Sequence, residues 1–303
     1  MVSSREPTSF DVMVDGRRLH VVTRGDPAAP AIVLIHGIRD HARSWDWIGT
    51  ALAGHFYVVA PDLRGHGDSD HAGSCGYGMP AFVLDLACII EELNLSRFCL
   101  VGHSLGGAIA LRFASAFSER LSALCAIEAI ELPIVREQRV KPQVFPRRLR
   151  TWVDDERARS IRQPKSYESI ADAERRMSQA HPTFDRDTVK HLVAHGLKKI
   201  PGGRWRWKHD NAARLRAPED AEGRELDEML ATIACPTLLA YGDASWIVLP
   251  PRKRLDLIRN LQLVVFPGVS HWLHHEARSK FLTTLTNFLD ENIGGAEASP
   301  RAL

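Results

Sequence analysis

The feature that most constrains this chain is the segment Gly102-His103-Ser104-Leu105-Gly106, which has the pattern G-x-S-x-G. An apolar run at 98–101 precedes the segment, and a helical spacing of apolar residues begins at Ala108. This context predicts a strand that turns sharply into a helix, with Ser104 on a strained backbone at the turn. Small residues are needed on both sides because the strand and the helix pass closely there. The helix N-terminus would face Ser104 and favour a negative charge beside it.

A serine hydroxyl at such a turn is a poor nucleophile unless a base removes its proton and an acid orients that base. Of the histidines that follow Ser104, His271 has the most suitable context. It comes after a predicted strand at 261–266 and a turn at 267–270, where a base on a loop could reach the sheet edge. His274 and His275, on the next helical turn, are interpreted as scaffold or solvent-facing residues. His103 is expected to pack behind the turn.

Several segments in a fixed order resemble the motifs of the α/β-hydrolase-fold serine hydrolases, and the resemblance covers nearly the whole chain. They are His36-Gly37-Ile38 after an apolar run, Pro61 to Ser69 with the pattern P-D-x-R-G-x-G-x-S, the Ser104 turn, a strand ending in Tyr241-Gly242-Asp243, and Ser270-His271-Trp272. The branch that the chain resembles includes serine hydrolase-like proteins, meta-cleavage hydrolases and esterases. The resemblance implies an α/β fold with a doubly wound, mostly parallel eight-stranded sheet and a helical cap inserted after the sixth strand.

The resemblance also implies an oxyanion hole made by two backbone N–H groups. They belong to Leu105, which follows the nucleophile, and to Ile38, which follows His36-Gly37. His36 is expected to support this loop by hydrogen bonding.

The acid partner of His271 departs from the commonest family pattern. Family members usually carry it three residues after the glycine that ends the seventh strand, and that position here is Ser245, which cannot ionise. Glu128, at the end of the predicted sixth strand, is the preferred candidate because a buried glutamate would need a partner such as His271. Asp243 is the alternative acid, and Glu131 is a third candidate.

The pattern of apolar residues divides the chain into a core and an insertion. Near-continuous apolar runs alternate with helical patterns, as in a parallel sheet that is covered on both faces. Segments 10–14 and 19–23 predict an antiparallel hairpin. The alternation fails in a charged, proline-containing stretch, so we expect a core at 1–131 and 217–293, a cap at 132–216 and a disordered tail at 294–303. Trp205 and Trp207 are expected to lie on a cap strand or loop that packs on the core.

Composition excludes several classes of function. The net charge is +2, and the chain has neither a glycine-rich phosphate loop nor an H-E-x-x-H motif, so we expect no nucleic acid, no cofactor and no metal. No apolar run approaches the length of a membrane span, and the N-terminal residues do not resemble a signal peptide. The five cysteines are scattered, without C-x-x-C spacing, which favours a reducing, cytoplasmic location.

These residues predict cleavage of a small-molecule carboxylic ester or related acyl compound through an acyl-enzyme on Ser104. Hydrolysis of a C–C bond and cleavage of a cyanohydrin use the same triad and remain open. Dehalogenase and epoxide hydrolase chemistry are disfavoured, because relatives with those activities carry aspartate at the position of Ser104. A ligand receptor that retains the triad without turnover is a further alternative.

Overall fold

A computed structural model describes residues 6–73, 76–130, 144–161, 164–214 and 223–293. Its centre is an eight-stranded sheet in the order β1-β2-β4-β3-β5-β6-β9-β10. The strands of this sheet are β1 (Thr8–Val14), β2 (Arg17–Arg24), β3 (Ala31–Ile35), β4 (Tyr57–Pro61), β5 (Phe98–His103), β6 (Leu121–Ile127), β9 (Thr237–Gly242) and β10 (Leu261–Phe266). The pairs β1/β2 and β2/β4 are antiparallel and all other pairs are parallel. The predicted hairpin and the predicted mostly parallel sheet are therefore confirmed.

Helices cover both faces of the sheet, which explains why β3, β4, β5 and β9 are buried along their whole length. One face packs against α2 (Met79–Glu92), α3 (Leu105–Ala116), α7 (Gly223–Thr232) and α8 (Arg252–Leu255). The other face packs against α1 (Asp46–Leu52), α9 (Leu273–Glu276) and α10 (Arg278–Ile293). Short 3-10 turns lie at Ala42–Trp45, Ser118–Arg120 and Asn211–Arg214.

The segment after β6 has its own small core. It contains α4 (Phe145–Ile161), α5 (Ile170–Ala180), α6 (Arg186–Gly196) and a two-stranded antiparallel sheet of β7 (Leu197–Lys199) and β8 (Trp205–Trp207). Buried side chains of α5, α6 and β7 form one cluster, and Trp205 and Trp207 pack against it. The predicted cap strand is therefore present at Trp205–Trp207, and its tryptophans pack against the apolar cluster of the insertion itself.

Hydrogen bonds join this segment to loops at the carboxyl edge of the large sheet. His41, after β3, donates from Nε2 to the Leu192 carbonyl over 3.0 Å. The Asp210 N–H donates to the carbonyl of Gly65, in the loop after β4, over 2.7 Å. The Thr183 hydroxyl donates to Glu276, after β10, over 2.8 Å. The described part of the insertion therefore lies over the edge at which Ser104 is found.

Some sequence-based expectations fall outside the described residues. Glu131 and the predicted start of the cap lie in residues 131–143, which the structure does not describe. The same holds for the predicted end of the cap, in residues 215–222, and for the predicted tail at 294–303. Among the described helices, none combines the length and the apolar character that crossing a membrane requires.

Candidate active site

Ser104 occupies the turn between β5 and α3 in a conformation that side chains rarely adopt. Its φ is 52° and its ψ is −112°, so the predicted backbone strain is confirmed. The close approach of β5 and α3 is also present, because a Cβ added to Gly102 would lie 2.3 Å from the carbonyl oxygen of Gly106. The Ser104 N–H donates to the Ile127 carbonyl over 2.8 Å. These contacts fix Ser104 at the carboxyl edge, between β5 and β6.

The loop that carries His271 is tied to the serine turn through the backbone. His103, next to Ser104, donates from Nε2 to the His271 carbonyl over 3.0 Å, and the two rings are 4.6 Å apart between centroids. In the described part of the chain, no hydrogen bond joins the Ser104 hydroxyl to the His271 imidazole. Bonds between a nucleophile and its base are often long in a free enzyme and shorten when substrate binds.

Glu128 is the carboxylate that contacts His271. Its Oε2 lies 2.7 Å from His271 Nδ1, and its side chain is fully buried. The carboxylate also accepts hydrogen bonds from the Gly242 N–H at 2.7 Å and from the Ser245 hydroxyl at 2.5 Å. Glu128 follows β6 directly, with φ of 52°, and this left-handed residue redirects the chain at the end of the strand. The buried carboxylate thus has three hydrogen-bond partners: the Gly242 N–H, the Ser245 hydroxyl and the His271 ring.

Burial has opposite effects on the pKa values of this pair. Loss of water raises the pKa of Glu128 to about 7, while the donors Ser245 and Gly242 act to lower it. Loss of water also lowers the pKa of His271 to about 4, against the opposing effect of the nearby Glu276 charge. The imidazole is therefore neutral at neutral pH. With Nδ1–H directed at the carboxylate, Nε2 carries the free lone pair that a general base needs.

The alternative acid Asp243 lies elsewhere. Its side chain is exposed, and Oδ1 accepts a hydrogen bond from the Gly268 N–H over 2.6 Å, at the turn that follows β10. The structure therefore brings Glu128, but not Asp243, to His271.

The loop after β3 holds the residues predicted to form the oxyanion hole. His36 is fully buried, accepts from the Leu63 N–H at Nε2 over 3.0 Å and donates from Nδ1 to the Gly37 carbonyl over 2.7 Å. Its predicted supporting role is confirmed. A Cβ added to Gly37 would lie 2.8 Å from His103 Nδ1 and 3.5 Å from Ser104 Cβ, so this loop lies directly against the serine turn.

The two residues predicted to donate to an oxyanion lie next to Ser104 in the structure. Ile38 comes directly after Gly37, on the loop that lies against Ser104. Leu105 is the first residue of α3, and its N–H therefore has no acceptor within the helix.

Two residues of the site were missed by sequence reasoning. Ser245 was noted only because it cannot ionise, yet its hydroxyl donates to Glu128. The sequence did carry a signal for this role. Ser245 stands at the usual position of the acid, and a hydroxyl there can donate a hydrogen bond to an acid that another strand supplies. Trp246 is half-exposed, and its ring lies 4.4 Å from that of His271. No periodic pattern marked it, since it lies in an irregular loop.

Comparison with known proteins gives one consistent family. A family profile described as alpha/beta hydrolase fold matches residues 30–277. An uncharacterised protein of Mycobacterium tuberculosis is 29% identical over 269 residues, which are 87% of this chain and 76% of the relative. The 2-hydroxy-6-oxo-2,4-heptadienoate hydrolase of Pseudomonas putida is 28% identical over 279 residues, which are 89% of this chain and 91% of that enzyme.

The same fold is found among solved structures. The thioesterase domain from the curacin biosynthetic pathway is 27% identical, has a TM-score of 0.81, and matches over 93% of this chain and 99% of that domain.

Proposed function

Because the chain belongs to the α/β-hydrolase fold family, we propose that it is a serine hydrolase that cleaves a carboxylic ester or a related acyl compound through an acyl-enzyme on Ser104. His271 is the general base, and Glu128 is the acid that orients it. The N–H groups of Ile38 and Leu105 are the oxyanion donors.

In this mechanism the neutral His271 accepts the proton of the Ser104 hydroxyl at Nε2 while Oγ attacks the carbonyl carbon. The oxyanion that forms accepts hydrogen bonds from the two backbone N–H groups. His271 then gives the proton to the leaving alcohol, which departs and leaves the acyl group on Oγ. A water molecule repeats the cycle with His271 as base, releases the acid and restores Ser104. The charge of Glu128 stabilises the imidazolium in both halves.

The observation that carries this proposal is the contact of 2.7 Å between Glu128 and His271 Nδ1, in a loop that also bonds to the residue before Ser104. An acid, a base and a strained serine, which follow β6, β10 and β5 at one edge of the sheet, are the parts that acyl transfer requires.

We also propose that the described residues 144–161 and 164–214 cap the active site. Their hydrogen bonds to the loops after β3, β4 and β10 support this role.

A second candidate is hydrolysis of a C–C bond by the same residues. It is supported by the likeness to the 2-hydroxy-6-oxo-2,4-heptadienoate hydrolase, which extends over 91% of that enzyme. The two reactions share the base and the oxyanion hole but differ in the bond that breaks.

Steady-state kinetics with p-nitrophenyl acetate and butyrate, beside the dienoate substrate of the Pseudomonas putida relative, separates the alternatives. The ester proposal predicts many turnovers of at least one ester and their loss in Ser104→Ala. Turnover of the dienoate alone would favour the C–C hydrolase. A release of one equivalent of p-nitrophenol followed by no further product would contradict turnover and indicate a ligand receptor.

A further inference from the structure

Asp40, His274 and His275 form a cluster beside the active site that the proposed mechanism does not use. One ligand atom from each side chain lies within 4.8 Å of the others. Asp40 lies on the loop after β3, and the two histidines are the central residues of α9. The cluster therefore joins the loop of Ile38 to the segment that begins at His271.

Both histidines are buried without hydrogen-bond partners. His274 is 1% exposed and His275 is 6% exposed, so of the two interpretations from the sequence, scaffold or solvent-facing, the structure supports the first. Within the described residues, none of their four ring nitrogens has a hydrogen-bond partner. Buried polar atoms nearly always have a partner, and each exception calls for a ligand, an ion or water. Four such nitrogens on two adjacent residues are an unusual concentration of unused ligands.

The donor atoms of these groups suit a cation. A neutral imidazole offers one ring nitrogen with a free lone pair, and none of the ring nitrogens of His274 and His275 is engaged within the described residues. The side chain of Asp40, which accepts a hydrogen bond from the His41 N–H over 2.9 Å, supplies a carboxylate oxygen. Two imidazole nitrogens and one carboxylate are a donor set that first-row divalent transition ions accept, whereas magnesium and calcium prefer oxygen ligands.

We propose that Asp40, His274 and His275 bind a divalent transition-metal ion such as Zn²⁺. In a tetrahedral zinc site with bonds of about 2.0–2.1 Å, ligand atoms lie about 3.3 Å apart. The cluster must therefore contract by about 1.5 Å or less, and Asp40, on an irregular loop, can supply much of that movement. The ion would connect the loop of Ile38 to the helix that follows His271.

Two other groups of suitable residues are already engaged. Asp46, near His191 and His195, is paired with Arg24 at 2.6 Å and Arg43 at 2.7 Å, and these two positive charges oppose a cation. In the group of His20, Asp62 and Asp68, the Asp62 carboxylate accepts from the backbone N–H groups of Ala42 and Asp68. Only in the Asp40 cluster, among the described candidates, do both histidines have all ring nitrogens unpaired.

A positive charge near the cluster lowers its affinity for a cation but forms no hydrogen bond to the proposed ligand atoms. The Arg278 guanidinium lies 3.9 Å over the Trp47 ring, and its charge acts to lower the pKa of both His274 and His275. This guanidinium contacts the Thr188 hydroxyl and lies 3.6 Å from Asp185, so part of its charge is balanced away from the site.

Equilibrium dialysis of the untagged full-length protein against Zn²⁺, with metal analysis, tests the proposal. Absorption spectra with Co²⁺ report whether nitrogen and oxygen ligands surround the ion. We expect one equivalent to bind to the wild type. Asp40→Asn and the double variant His274→Gln/His275→Gln should each raise the Kd about 100-fold or more, because even partners of metal ligands typically contribute 10- to 100-fold.

Two control variants keep the result specific. His191→Gln, in the group around Asp46, and His271→Gln, in the proposed triad, should leave the Kd within about threefold. If the double variant does not fold, as judged by circular dichroism, Asp40→Asn decides, because asparagine retains the acceptor for the His41 N–H. Absence of binding to the wild type, an unchanged Kd in Asp40→Asn, or loss of binding in either control would overturn the proposal.

Discussion

Replacing Glu128 by glutamine separates the two candidate acids, because the structure gives the amide no satisfactory orientation. Oε1 of Glu128 accepts from the Gly242 N–H, and Oε2 accepts from the Ser245 hydroxyl and from His271 Nδ1. If the amide NH₂ faces Gly242, two donors oppose each other in a buried position. If the NH₂ faces His271, Nδ1 must become the acceptor and the proton moves to Nε2. The ring is then the tautomer that cannot accept the serine proton.

Both orientations also remove the charge that stabilises the imidazolium. In the triad of a serine protease the comparable amide substitution lowers kcat about 10⁴-fold, which corresponds to about 5.4 kcal/mol of activation free energy. We expect a loss of kcat of this order for Glu128→Gln. The mismatched buried donor should also cost about 1–3 kcal/mol of unfolding free energy, so the variant stays folded.

The assay is kcat and KM for a p-nitrophenyl ester, with urea unfolding as the measure of stability. Asp243→Asn is the matched control, because it also exchanges a carboxylate for an amide and its Oδ1 can still accept from the Gly268 N–H. We expect its kcat to remain within about threefold of the wild type. A larger loss in Asp243→Asn than in Glu128→Gln would refute the assignment of Glu128.

Three further variants test other parts of the site. Ser104→Ala should lower kcat about 10⁴-fold or more. The urea midpoint should stay nearly unchanged, because the variant loses one hydroxyl and alanine has the same backbone strain at this turn as serine. Residual turnover above one per cent would contradict the assignment of Ser104 as the nucleophile. Ser245→Ala removes a hydrogen-bond donor that lowers the pKa of Glu128, so the acidic limb of the pH–kcat profile should move to higher pH by about one unit. An acidic limb at the same or a lower pH would show that this hydrogen bond does not stabilise the charged form of Glu128. Gly106→Ala should lower the free energy of unfolding by about 2 kcal/mol or more, because its Cβ would lie 2.3 Å from the Ile35 carbonyl oxygen. Gly54→Ala is the control, since a Cβ added there has nothing within 4 Å. Equal urea midpoints for the two variants would contradict the packing argument.

Local sequence predicted the hairpin and the serine turn because their causes are local. The hairpin around Asp15-Gly16 has the expected turn residues, and its strands at Thr8–Val14 and Arg17–Arg24 are each a few residues longer than predicted. The run of small residues around Ser104 predicted the close approach of β5 and α3, which the structure contains. In each case neighbouring residues determine the geometry.

Contacts between distant segments were not predictable in the same way. The neighbourhood of Glu128, Ser245 and His271 depends on the parallel pairing of β6 with β9 and of β9 with β10. Sequence spacing left Glu128 and Asp243 as alternatives, because both follow strands that end at the same edge. For His274 and His275 the sequence left scaffold and solvent-facing positions as alternatives. The helix α9 is a single turn, too short to show a periodic pattern, and the surfaces that cover it come from distant parts of the chain.

The most direct test of the central claim is the site of covalent modification by a fluorophosphonate, followed by peptide mapping of the labelled protein. The proposed mechanism predicts one label per chain, located on Ser104, and no labelling at a comparable rate in Ser104→Ala. Glu128→Gln should be labelled far more slowly than Asp243→Asn, because the activated hydroxyl depends on the His271 tautomer. Labelling of another residue at an equal rate, or unchanged labelling of Ser104→Ala, would contradict the assignment of Ser104 as the nucleophile.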